Sequence, residues 1–162
     1  MNIGTVNIGT VSIGSGQIKE GILLLWGVWL ALVTLLNVLD FLKMRGLLPA
    51  EWRFHSHNFE GIVQATRTYD TPGWMCWAMY SVVIVWEGAA AFLLLRAGLH
   101  FSLSAAYLAF FVSLALWGAF IMVNELFLTF LAEGQGGYST AATHRSIFTS
   151  FLVSCVAVAV LP

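Results

Sequence analysis

Four long apolar stretches dominate the chain and leave few folds open to it. They are Gly21–Leu42, Trp74–Leu95, Phe101–Leu131 and the shortest, Arg145–Leu161. A helix that crosses a bilayer needs roughly 20 mainly apolar residues. The first stretch is too long for a signal-peptide apolar region, and it lacks a basic leader and a small-residue cleavage site. It reads as a retained span. Charge agrees, because only 9% of the 162 residues are charged, against about 25% for a soluble domain. An ordinary soluble domain, a disordered chain and a nucleic-acid binder are thereby excluded. The expectation is an all-α fold. It is an antiparallel membrane four-helix bundle over residues 21–162, preceded by a flexible tail over residues 1–20.

Both termini then lie on one side, here the terminal side. The loop side carries the segment from Lys43 to Gly73 and a glycine-rich connection from Glu133 to His144. In the first of these, Trp52, Phe59 and Ile62 or Val63 recur at near-helical spacing. That predicts a short amphipathic helix in the membrane interface. Asp70-Thr71-Pro72-Gly73 reads as the turn that launches the second span. Lys43, Arg45, Arg53, Arg67 and Arg145 fall on the loop side and Lys19 and Arg96 on the other. This count favours a cytoplasmic loop side. The tail repeats Asn-Ile-Gly-Thr-Val at residues 2–6 and 7–11; two copies cannot build a repeat fold. Cys76 and Cys155 lie at different depths and read as reduced packing residues.

Polar side chains inside spans are expensive and are functional candidates by default. The set is Asn37, Asp40, Glu87, Asn124, Glu125, His144 and Arg145. Asp40, Glu125, His144 and Arg145 are expected at one level near the loop side, where Arg145 with Asp40 or Glu125 would make a structural salt bridge. Glu87 is the deepest carboxyl, roughly 20 Å from the loop side. It must be protonated, bonded across helices to a Tyr, Ser or Asn, or facing water or a ligand. His55, His57 and Glu60 are weak metal candidates. Their ligand types suit iron, zinc or copper, but on a helix His55 and His57 would point apart. No Glu-x-x-His pair lies within a span.

The residues resemble a family of small bacterial integral membrane proteins, domain-of-unknown-function family 2165. The likeness runs from Leu35 to Phe151. Asn37-Val38-Leu39-Asp40-Phe41 resembles the family's end of the first span, and Asn58-Phe59, Val63-Gln64 and Asp70-Thr71-Pro72-Gly73 resemble its first loop. Trp86-Glu87 resembles its Trp-Glu pair, Glu125 with Phe127 its third-span motif, and Arg145 the arginine that opens its fourth span. Lys43 to His57 looks like an insertion, and Asn124 and Leu126 replace a glycine and a tryptophan. The resemblance implies four spans, a bacterial inner membrane and a cytoplasmic terminal side, against the charge count. It implies no reaction.

Three functions follow as expectations. The first is an accessory or structural subunit of a larger respiratory or photosynthetic membrane complex. The second is an embedded site that binds a proton, metal, quinone or lipid headgroup on the intramembrane carboxyls. The third is an oligomeric transporter or channel. Phosphate-loop, nucleotide and nucleophile motifs are missing from the sequence, so an enzyme acting on its own is not expected. The partners expected are membrane lipid, some of it bound, and other membrane subunits or a second copy; nucleic acid is not among them.

Overall fold

The structure is a computed structural model, and it describes residues 5–8, 11–125 and 141–162. Four long helices cross and recross the bundle: α1 (Ser15–Met44), α3 (Gly73–Leu99), α4 (Leu103–Val123) and α5 (Ala141–Val160). A short helix α2 (Asn58–Thr66) sits in the first loop. All four long helices are apolar enough to span a membrane, with mean hydropathy of 2.4, 1.9, 2.1 and 1.4 in chain order. The protein is therefore an integral membrane protein with a helical bundle.

The boundaries differ from the sequence reading in instructive ways. α1 begins at Ser15, not Gly21, because Lys19 and Glu20 extend the helix beyond the apolar run. The main-chain N–H of Gly14 donates to Gln17 Oε1 at 3.0 Å and closes the first turn. The tail, expected to be flexible, forms an antiparallel pair of β1 (Thr5–Ile8) and β2 (Val11–Gly14), with Val6 opposite Ile13. The interfacial helix starts only at Asn58, so Trp52 lies in irregular chain before it. The third span is described to Val123, followed by a π-type turn at Asn124 and Glu125. The expected continuation to Leu131 and the glycine-rich connection lie outside the described residues.

α1 and α3 pack most extensively on each other, α4 packs on α5 and on α3, and α1 touches α5 lightly. Leu30, Leu94, Phe110 and Phe151 sit in the shared core. Trp26 stacks on Phe151 with ring centroids 4.1 Å apart, and its indole N–H donates to Ser154 Oγ at 2.9 Å. Ser102 caps α4, its hydroxyl accepting from the N–H of Ala105.

Near the terminal side α1 and α3 touch backbone to backbone. A Cβ on Gly27 would lie 2.8 Å from Leu95 Cγ and 2.9 Å from the Leu95 main-chain nitrogen. A Cβ on Gly98 would lie 2.7 Å from Leu24 Cγ. Small residues permit such close approach in lipid. Gly27→Val or Gly98→Val is expected to destabilise the bundle by about 1–3 kcal/mol through overpacking. A detergent-denaturation titration checks this, with Gly21→Val, where a Cβ meets nothing within 4 Å, as the control that leaves the midpoint in place.

At the loop side the same two helices accept a wedge of loop between them. α1 has 30 residues and α3 has 27, giving lengths of about 45 and 40 Å, well beyond a hydrocarbon core of about 30 Å. Their projecting ends hold the segment 55–59. Phe59 is buried there, stacked on Trp77 at 3.9 Å, beside Tyr80 and Cys76. Both described cysteines are free thiols, as expected.

Candidate functional site

α1 places Asn37 and Asp40 three residues apart on its inward face, and α3 places Tyr80 and Glu87 seven apart on the face that meets it. Asn37, Asp40 and Tyr80 are fully buried, and Glu87 is 3% exposed. In an apolar surrounding each polar atom needs a partner, and the loop supplies several of them.

Asp40 is the hub. Its Oδ1 accepts from His55 Nδ1 at 2.7 Å. Its Oδ2 accepts from the Tyr80 hydroxyl at 2.8 Å and from the Phe59 main-chain N–H at 2.9 Å. One carboxylate thus ties α1 to the loop, to the start of α2 and to α3. The Tyr80 hydroxyl has a single proton, and the carboxylate takes it in preference to the Asn37 main-chain oxygen at 3.1 Å. Ser56 Oγ lies 3.3 Å from the same hydroxyl, placed to donate to it.

Lys43 closes the upper end. Its ammonium donates to the Trp52 carbonyl at 2.7 Å and to His55 Nε2 at 2.8 Å. An ammonium has no lone pair to offer, so His55 Nε2 is the acceptor and Nδ1 carries the proton given to Asp40. A neutral imidazole therefore separates the lysine cation from the aspartate anion. The His55 side chain is 2% exposed.

The lower end reaches into the membrane. Asn58 Nδ2 donates to Asn37 Oδ1 at 2.8 Å, and Asn37 Nδ2 donates to Glu87 Oε2 at 2.6 Å. Asn58 is on the exposed start of α2, so Glu87 is two hydrogen bonds from the loop-side surface. Along α3 it lies 14 residues from Gly73 and 12 from Leu99, about 20 Å from either end. It lies near the middle of α3, and an asparagine of a neighbouring helix is its partner.

The other candidates form a separate group. Asn124 Nδ2 donates to the Phe120 carbonyl at 2.9 Å and lies 3.1 Å from His144 Nδ1. The His144 ring stacks on Phe120. Arg145 pairs with Glu125, both partly exposed. Of the two salt bridges considered for Arg145, the Glu125 one forms; Asp40 has the loop for its partners. The expected single polar level is thus two clusters, one between α1 and α3 and one between α4 and α5.

The metal candidates do not assemble. Both His55 ring nitrogens are engaged, one of them by a cation. His57 Nδ1 and Glu60 Oε2 face each other across 3.7 Å in solvent. His55 and His57 were expected to point apart, but the segment is not helical there and their rings lie 3.8 Å apart. Among the described residues no group of three or more His, Cys, Asp or Glu is placed to hold a metal.

Sequence reasoning missed Lys43, Ser56, Asn58 and Tyr80. Tyr80 carried a signal, standing two helical turns before Glu87 on the same face. Ser56 carried none, since irregular chain has no period, and Lys43 and Asn58 stood out only as a loop-side charge and as part of a loop motif.

No family model, curated protein or solved structure matches this chain, so the geometry of the buried network carries the functional reading.

Proposed function

We propose that this small integral membrane protein works as a proton-binding element, with Glu87 as the group that takes up and releases the proton. The observation that carries the reading is the hydrogen-bonded column from Lys43 to Glu87, in which Ser56 Oγ links the Tyr80 hydroxyl at 3.3 Å to the Asn58 main-chain N–H at 3.2 Å and so joins the upper half to the lower. It joins a carboxyl at mid-membrane depth to the loop-side surface. Such a carboxyl is costly in lipid and marks a functional site by default. The geometry favours a proton over the other ligands considered. Asn37 turns its N–H toward Glu87 and its oxygen away, so the carboxyl gains a donor and not a second oxygen ligand. Calcium-type cations need six or more oxygens. A quinone ring or headgroup needs space, and neither of two grooves of about 330 and 430 Å³ is lined by Glu87.

Infrared difference spectra between acid and alkaline buffer test this in liposomes. A protonated-carboxyl band is expected, lost in Glu87→Gln and kept in Glu125→Gln. Folded protein should remain abundant in Glu87→Gln, because the glutamine oxygen still accepts from Asn37. The unfolding midpoint should move by no more than about 1 kcal/mol. A band that survives Glu87→Gln would make Glu87 a structural carboxyl.

A second reading is an accessory subunit of a larger membrane complex, in a bacterial inner membrane if the family resemblance holds. The groove between α1 and α5 supports it. Trp26 and Trp29 line one wall and the hydroxyl residues Ser146 and Ser150 the other. Small residues at a lipid-facing groove suit a docking helix. Native mass spectrometry of the protein drawn from its own membrane in mild detergent is expected to show larger subunits attached. A bare chain or homo-oligomer would remove this reading.

A further inference from the structure

We infer that α2 and the chain just before it form a lid over the Glu87 site, with Asp40 as its latch; this rests on the reading of Glu87 as the proton-binding group. Three observations converge on the inference. Exposed Asn58, which belongs to α2, donates to Asn37, and Asn37 donates to Glu87, so α2 contacts the Asn37–Glu87 pair from the loop-side surface. The unit from Asn58 to Tyr69, α2 with its following 3₁₀ turn, is bounded by two non-glycine residues in the left-handed region. These are His57 at φ 62° and Asp70 at φ 47°. Left-handed backbone is uncommon outside glycine, and here it occurs at both ends of one short unit, where a hinge would sit. Finally, two of the loop's attachments to α1, from His55 Nδ1 and from the Phe59 N–H, end on one carboxylate, beside those that Asn58 makes to Asn37 and Lys43 makes to His55. Loss of that acceptor frees both together.

When the lid swings outward, Asn58 leaves Asn37 Oδ1 and water reaches the amide that holds Glu87. When it closes, Phe59 returns to Trp77 and the site is sealed. Access to Glu87 from the loop side is therefore gated, and the lid is the gate.

A native cysteine makes the gate lockable. Thr66 Oγ1, at the end of α2, lies 3.5 Å from Cys76 Sγ on α3. Thr66→Cys therefore places two thiols within bridging reach, away from the polar column. The experiment uses the full chain in liposomes, in a Cys155→Ala background. A water-soluble carbodiimide with an amine is added from outside, and Glu87 modification is read by peptide mass. The same protein in denaturing detergent gives the unprotected rate. Reduced Thr66→Cys is expected to be modified at the rate of the background protein, and the oxidised form at least tenfold more slowly, with reductant restoring the rate. Asp40→Asn, which keeps one acceptor oxygen but turns an N–H on the latch, is expected to speed modification at least tenfold. Equal rates in oxidised and reduced protein would overturn the lid, as would no modification of Glu87 in the reduced protein. The infrared band of Glu87 is independent of these rates. A lid that fails with the band present leaves the proton site standing, and a gated Glu87 with no band leaves a lid over a structural carboxyl.

Discussion

Asp40→Ala is expected to cost the protein about 3–5 kcal/mol of stability, the largest effect of any single change in the polar column. Each buried donor left without its acceptor costs about 1–3 kcal/mol, and Asp40 serves three of them. The mechanism is specific. The change leaves His55 Nδ1–H, the Phe59 N–H and the Tyr80 hydroxyl without their acceptor, and it leaves Lys43 facing a site with no anion. Denaturant titration in bicelles measures the loss, and rapid proteolysis between residues 45 and 58 should accompany it. Asp40→Asn should fall between wild type and alanine, since its carbonyl oxygen still accepts while its amide opposes a donor. A wild-type midpoint in Asp40→Ala would show that Phe59 and its aromatic neighbours hold the loop without the carboxylate.

The second large effect separates a pair from its members. Asn37→Leu removes the donor to Glu87 and the acceptor for Asn58 together. Stranding buried Glu87 costs about 1–3 kcal/mol, while exposed Asn58 turns to water, so the single change is expected to lose about 1–3 kcal/mol. Asn37→Leu with Glu87→Met replaces both ends of the bond by apolar groups of similar volume, and such replacements are often neutral or stabilising. The double variant should therefore recover most of the loss while abolishing the infrared band. A double-mutant cycle on the four proteins measures the coupling. Additive losses would mean that Asn37 and Glu87 do not depend on each other.

The span pattern of the fold was legible because apolar runs are long and local. Leu23, Leu30 and Asn37 recur every seven residues on α1, as do Tyr80, Glu87 and Leu94 on α3. These two stripes announce the faces that meet. Of the site, Asn37, Asp40 and Glu87 stood out because each is polar in an apolar run. His55 stood out only as a ligand type, which pointed to a metal and away from its actual partners. Lys43, Ser56 and Asn58 look like ordinary loop residues, and nothing in local sequence says that a polar loop folds down between two helices. Their partners are 12 to 24 residues away, and pairing of that kind is a property of the assembled hairpin. The level expected for Asp40 and Arg145 was an inference about depth along the helices. It could not reveal the neighbour, because depth says nothing about position around the bundle.

The polar column lies wholly within α1, the first loop and α3, and this has a consequence for biogenesis. When α1 leaves the ribosome it carries Asn37 and Asp40 with no partner for either. Glu87 follows Asn37 by 50 residues. At 5–20 residues per second that is a wait on the order of 3–10 s for the Asn37–Glu87 bond, whereas the His55 and Phe59 partners of Asp40 follow it by only 15 and 19 residues. Once α3 is in place, every hydrogen bond described for the column can form, with α4 and α5 still unmade. The first helical hairpin is thus the unit whose insertion is completed first, and the last two helices join a membrane partner that has already closed.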